Sequence, residues 1–142
     1  MEIDHLGIAV KSIASARRFY EDLGLTVSAE ETVEHEMVKV AMMAVGNSRI
    51  ELLEATQESS AVAKFIARRG EGLHHVALHV DSLSAVIARL KEKGVRLLSD
   101  SVQVGAGGHR YVFVHPASAG GVLLELCEDA PAGRKASADR ES

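Results

Sequence analysis

Residues 5–25, HLGIAVKSIASARRFYEDLGL, recur at 75–95 as HVALHVDSLSAVIARLKEKGV, displaced by 70 positions with no gap. His5 meets His75, Val10 meets Val80, Ser12 meets Ser82, Ile13 meets Leu83 and Gly24 meets Gly94. Each copy carries the same physical instructions: an alternating strand, a serine placed to cap a helix, a helix with an apolar stripe, and a glycine at its end. A second match follows, with RIELLE (49–54) set against LLELCE (123–128) at a displacement of 74, pairing Glu51 with Glu125 and Glu54 with Glu128. The chain is therefore two copies of one βα unit, the second longer by four residues.

Coarse elements follow from the copies. Strands are expected over 3–10 and 74–80 and helices over 13–23 and 83–93. Later strands are expected at 25–30, 37–45 and 48–54 in the first copy, and at 95–99, from 110, and at 122–128 in the second. This reads as βαβββ twice, an α+β fold whose two modules (about 3–56 and 73–129) share one curved mixed sheet within a single domain, 1–129. A connecting helix over 59–70 has Ser59 or Ser60 to cap it and Gly70 to end it. VGAGGHR reads as a loop and PASAGG as a turn. Residues 130–142 lack an apolar pattern and are expected to be a disordered tail.

Composition narrows the function classes. Net charge is −4, the pI is near 6.0, aromatics are 4% and Trp is absent, so neither a phosphate-binding surface nor a base-stacking platform is indicated and nucleic acid is not an expected partner. No run of 18 apolar residues is present, so no membrane span is expected. The single cysteine, Cys127, excludes an internal disulfide and suits a reducing compartment. With an opening that runs straight into a strand-like segment, this makes a cytoplasmic protein the expectation.

The segment GVLLELCE (121–128) sets Glu125 inside an apolar run. Period two puts Val122, Leu124 and Leu126 on one side and Leu123, Glu125 and Cys127 on the other. A buried, unpaired carboxylate costs several kcal/mol, on the order of 3–5, so a cation is called for. In the first strands, Leu6, Ile8 and Val10, and likewise Val76, Leu78 and Val80, form the helix side. His5 and His75 then lie opposite, on the face that also takes Glu51 and Glu125. Two imidazoles and two carboxylates recurring in register on one concave face read as a metal cup. Of the other histidines, His79 shares that face, His35 and His109 fall in loops, His74 is expected to point the other way, and His115 belongs to its turn. The charges of the helices read as solvated faces.

The stretches DHLGIAV, SSAVAKFIARRGEGLHHVAL and HPASAGGVLLELCE, with the duplicated units, resemble the vicinal-oxygen-chelate (glyoxalase) superfamily and, within it, the methylmalonyl-CoA epimerases. The resemblance runs from about residue 3 to 129. It implies a divalent metal (Co, Mn, Ni, Zn or Fe) held by His5, Glu51, His75 and Glu125, an acyl-CoA substrate, and proton abstraction at C2 through a metal-chelated enolate, which inverts the centre. Inversion needs an acid or base on each face of the carbon. Glu125 and Glu51 are the first choices, with Glu34 or Glu36 behind Glu51. Some epimerases carry an additional acid on the strand where Val40 stands here. The runners-up are a glyoxalase I type lactoylglutathione lyase and a non-catalytic binding protein of the same fold; a ring-cleaving dioxygenase, with iron on two His and one carboxylate, fits a four-ligand cup less well. Open sheet edges, together with the resemblance, lead to the expectation of a homodimer.

Overall fold

The computed structural model describes residues 1–130. Its strands and helices run β1 (Glu2–Ala9), α1 (Ile13–Leu23), β2 (Val27–Val33), β3 (Val38–Val45), β4 (Ser48–Ala55), α2 (Ala61–Arg69), β5 (Gly72–His79), α3 (Leu83–Glu92), β6 (Gln103–Val104), β7 (Arg110–Val114) and β8 (Leu124–Glu128). They form one eight-stranded sheet in the order β2-β3-β4-β1-β5-β8-β7-β6. The two copies are joined back to back: β1 runs antiparallel to β5, while β1 with β4 and β5 with β8 are parallel. Leu6 faces Val76, its own mate in the repeat, so a local twofold passes between them.

The sheet curls until its ends approach one another. Glu31 Oε1 of β2 accepts from the Gly107 amide at 2.9 Å, and the Tyr111 hydroxyl of β7 lies 3.2 Å from His35 Nε2. The product is a mixed half-barrel. On its convex side α1 buries Ile13 against Val10, Ala41, Met43 and Leu52, and α3 repeats this with Leu83 against Val80, Val112, Val114 and Leu126. On the concave side α2 sets Val62 and Phe65 against Ala9, Val40 and Leu53.

Local signals act as the sequence implies. Ser12, Ser60 and Ser82 cap the three helices through their hydroxyls, and Gly24 (φ 111°) closes α1 in the left-handed region that other residues avoid. The repeated pair Glu54 and Glu128 acquires a shared purpose. Each carboxylate accepts from the first amide of its own module's helix, Ile13 N–H to Glu54 and Leu83 N–H to Glu128, both at 2.7 Å. A last-strand acid thus satisfies an orphan donor and complements the helix dipole.

Two expectations need correction. The strand placed at 95–99 shrinks to a single bridge, Leu97 with Val114. Ser99 and Ser101 then fold the chain into a side-chain turn, and pairing resumes only at Gln103–Val104. The strand placed at 25–30 begins later, at Val27. The tail expected from 130 lies, from residue 131 on, outside the described residues. No helix among the described residues is long and apolar enough to cross a membrane.

Glu54→Ala should lower stability by about 1–2 kcal/mol, the cost of leaving a half-buried amide without its acceptor. Glu128→Ala should do at least as much, since it also pairs with Arg110. Urea melts would test this, and an unchanged midpoint in Glu54→Ala would mean that water replaces the cap.

Candidate active site

Successive strand residues point to opposite faces, so Asp4 and His5 should not meet, nor should His74 and His75. Here they do, because the β1–β5 pairing slips twice. Ile3 faces Leu78 and His5 faces Ala77, which leaves Asp4 extra; Gly7 faces His75 and Ile8 faces Leu73, which leaves His74 extra. The two bulges sit at repeat-equivalent positions, and each turns the residue before the histidine toward the cup. His74 therefore does not point away as its strand parity implied. Its Nδ1 lies 2.9 Å from His75 Nδ1, its ring meets Phe65 edge-on, and it lines the cavity. Burial, and then the neighbouring His75, lower its pKa to about 4.

All four residues selected by the repeat are buried, at 5–8% exposure. Three of them converge. His5 Nε2 lies 3.1 Å from His75 Nε2, His75 Nε2 is 3.2 Å from Glu125 Oε1, and His5 Nε2 is 3.6 Å from the same oxygen. Donors about 2.1 Å from one ion stand roughly 3.0 Å apart when adjacent in an octahedron and roughly 3.4 Å apart in a tetrahedron. The three atoms therefore already have the mutual spacing of ligands around a transition-metal ion, and the donor set suits one.

Glu51 stands on the other side of His5. Its Oε2 lies 3.5 Å from His5 Nδ1 and accepts from Arg49 Nε at 3.2 Å and Nη2 at 2.9 Å. The same Nη2 reaches Asp4 Oδ2 at 2.9 Å, and that oxygen takes the His5 Nδ1 hydrogen bond at 2.7 Å. Asp4, His5 Nδ1 and Glu51 also form a cluster compact enough for an ion. The Arg49 guanidinium already supplies a positive charge between its two carboxylates, so the converging Nε2 side is the better cation site. A carboxylate on Nδ1 leaves the Nε2 lone pair of His5 aimed into the cup.

Charge follows from these contacts. Burial alone would lower the pKa of His5, but the Asp4 hydrogen bond and the nearby Glu125 and Glu51 raise it to about 10. Burial would raise Glu125, yet hydrogen bonds from His5 and His75 bring it to about 2. Asp4 also falls to about 2, its burial outweighed by His5 and Arg49.

Sequence reading passed over Asp4, Arg49 and Gly7. A Cβ on Gly7 would come within 2.2 Å of His75 Cε1, so the absence of a side chain there makes room for the imidazole. The repeat held a signal for Asp4, since it aligns with another polar residue, His74. Around the cluster opens a cavity of about 470 Å³, reached also by His35, Glu36, His109, Tyr111 and Phe113. His79 lies apart, 3.2 Å from Asp129, and His115 Nδ1 accepts from the Ala117 amide in its turn.

Residues 4–113 match the model of the glyoxalase/bleomycin resistance protein/dioxygenase superfamily. The ethylmalonyl-CoA/methylmalonyl-CoA epimerase of Cereibacter sphaeroides is 35% identical over 127 residues, covering 87% of this chain and 95% of that one. The chain belongs to the methylmalonyl-CoA epimerase family. The crystal structure of the Mycobacterium tuberculosis epimerase superposes with a TM-score of 0.89 at 37% identity, over 96% of this chain and 91% of the other. A methylmalonyl-CoA epimerase bound to methylmalonyl-CoA and ammonium superposes with a TM-score of 0.88 at 39% identity, over 92% and 95%. The likeness extends over the whole duplicated half-barrel.

Gly7→Ala should displace the His75 ring, because the added Cβ would stand 2.2 Å from its Cε1 and 2.7 Å from Nε2 itself. Divalent-metal affinity, measured by titration calorimetry, should fall about 10- to 100-fold while the circular dichroism spectrum is retained. Unchanged affinity would remove His75 from the ligand set.

Proposed function

We propose that this protein is a divalent-metal-dependent epimerase that interconverts the (R) and (S) forms of methylmalonyl-CoA. The observation that carries this reading is the convergence of His5 Nε2, His75 Nε2 and Glu125 Oε1 at ligand spacing inside a cavity that can admit an acyl group. His5, His75, Glu125 and Glu51 are the residues assigned to hold the ion, which the nitrogen and oxygen donors restrict to Co, Mn, Ni, Zn or Fe rather than softer ions. When bound, such an ion stabilises negative charge developing on the thioester and carboxylate oxygens of the substrate.

The chain's own residues supply the rest. The proton to be removed sits on a carbon between two carbonyl groups, and a carboxylate at hydrogen-bonding reach suffices to take it. Glu125 is ionised and faces the cavity, and we assign it the proton on one face. Of the two glutamates first expected to carry protons, Glu51 is the worse placed. Its Oε2 is held by two nitrogens of Arg49 on the Nδ1 side of His5, so we assign it no proton, and its part at the ion falls to the other carboxylate oxygen. The apolar wall formed by Val40, Leu53, Val62 and Phe113 limits water around the reacting carbon.

The test is deuterium incorporation at C2 of methylmalonyl-CoA in heavy water with added divalent metal. Glu125→Gln should bind metal only modestly more weakly yet lose turnover about a hundredfold or more, whereas His5→Ala and His75→Ala should lose metal and activity together. Absence of exchange, beside turnover of methylglyoxal with glutathione, would give the site to lactoylglutathione lyase chemistry instead.

The same reading includes a homodimer, supported by the terminal strands β2 and β6, each of which pairs with a strand on one side only. Light scattering at micromolar concentration should give twice the chain mass; a monomer mass would refute it.

A further inference from the structure

Three glutamates line the cavity: Glu51, Glu125 and Glu36. Glu51 is committed to Arg49. Glu36 is not committed in this way: the basic group beside its carboxylate is His35 Nε2 at 3.7 Å, beyond hydrogen-bond length, and that nitrogen lies 3.2 Å from the Tyr111 hydroxyl.

The backbone that presents Glu36 is unusual. Glu34–Glu36 form a single 3-10 turn closed by Met37 at φ 55°, ψ 49°, the one non-glycine residue with positive φ among the described residues. Side-chain-bearing residues rarely occupy that region, and where they do so the surrounding structure holds them there. Here Met37 N–H bonds the Glu34 carbonyl at 3.0 Å, the Met37 carbonyl accepts from Thr56 N–H at 2.9 Å, and the Ser59 hydroxyl reaches Met37 Sδ at 3.2 Å. The turn is thus tied to the chain leaving β4, and His35 reaches from it to β7. It leads into β3, the second strand from one end of the sheet, while Glu125 sits on β8, the third from the other end. Curling of the sheet sets these two positions on opposite walls of the cup.

We propose that Glu36 is the second proton carrier, acting on the face of the reacting carbon opposite Glu125; the assignment rests on the epimerase reading. Starting from one epimer, Glu125 as carboxylate takes the C2 proton and the C–H electron pair passes into the adjoining carbonyl oxygens as an enolate. Glu36 as carboxylic acid then gives its proton to the other face, and a new C–H bond forms. Glu125 is left protonated and Glu36 ionised, which is the starting state for the other epimer. The surroundings of Glu36 agree with its role, since burial and the Glu125 charge raise its pKa against smaller opposite pulls from His35 and His75.

The experiment follows each epimer separately in heavy water with Co²⁺-loaded protein, reading deuterium by mass and configuration by enzymatic consumption of one epimer. In Glu36→Gln, inversion should fall about a hundredfold or more. Deuterium should still enter one epimer with retention, while Glu125→Gln should keep exchange from the other epimer only. Metal affinity and melting temperature of Glu36→Gln should match wild type. If that variant does not fold, Glu36→Asp, which keeps an acid set one methylene back, should invert more slowly than wild type. Three results overturn the assignment: inversion at the wild-type rate in Glu36→Gln, loss of exchange from both epimers with metal binding intact, or loss of exchange from a single epimer in Glu51→Gln. If wild type exchanges neither epimer, the epimerase reading itself fails, an outcome distinct from all three.

Discussion

The site depends on the antiparallel contact between β1 and β5. Because Leu6 meets Val76 across it, each copy's first strand lies against the other's, and the two histidines of the repeat come from neighbouring strands rather than from opposite ends of the molecule. Two bulges in this one pairing then bring Asp4 beside His5 and His74 beside His75. A straight ladder would have sent Asp4 and His74 to the convex side among the helices. Closeness of backbone also sets a steric condition at the seam. Gly7 pairs with His75, and the ring occupies the volume that a side chain at position 7 would need.

Electrostatics fixes what this seam can hold. Asp4, Glu51 and Glu125 are three buried carboxylates, opposed by Arg49 and by an imidazolium on His5. That leaves one negative charge uncompensated in a low-dielectric setting. Replacing the His5 proton by a divalent cation removes one positive charge and adds two, so the cluster becomes neutral. A monovalent cation in exchange for the proton would leave the deficit unchanged.

Much of this was legible in the residues. The two displacements, 70 and 74, identified the modules, and strand parity alone put His5, His75, Glu51 and Glu125 on one face. The faces hold because each strand has an unambiguous oily side, so a slip of one residue would expose it. What parity cannot register is an extra residue. The bulges at 4 and 74 are properties of pairing between distant strands, and nothing within DHLG or LHHV announces them. The role of Arg49 was hidden for a related reason: its guanidinium meets Asp4 from a neighbouring strand, across 45 positions of sequence. The strand placed at 95–99 failed where local serine hydrogen bonds diverted the backbone, a competition that apolar alternation does not reveal.

Duplication yields a symmetric scaffold, whereas the proposed reaction requires that the two halves differ. A cup with two equivalent glutamates would bind a cation well and give both acids the same proton affinity. The copies have diverged at the positions that prevent this. Arg49 corresponds to Leu123 at the displacement that equates Glu51 with Glu125, so one glutamate has a guanidinium two residues before it on the same face and its counterpart has a hydrocarbon. Asp4 corresponds to His74, which gives one histidine an anionic neighbour and the other a neutral one. Glu51 is thereby tied to a guanidinium and Glu125 to two imidazoles, although both descend from the same position in the unit. If Glu51 takes no part in proton transfer, as proposed, the second acid comes from outside the repeated set. The Glu34–Glu36 turn between β2 and β3 has its counterpart in the Ala106–Gly108 turn between β6 and β7, and only the first carries a carboxyl to the cavity.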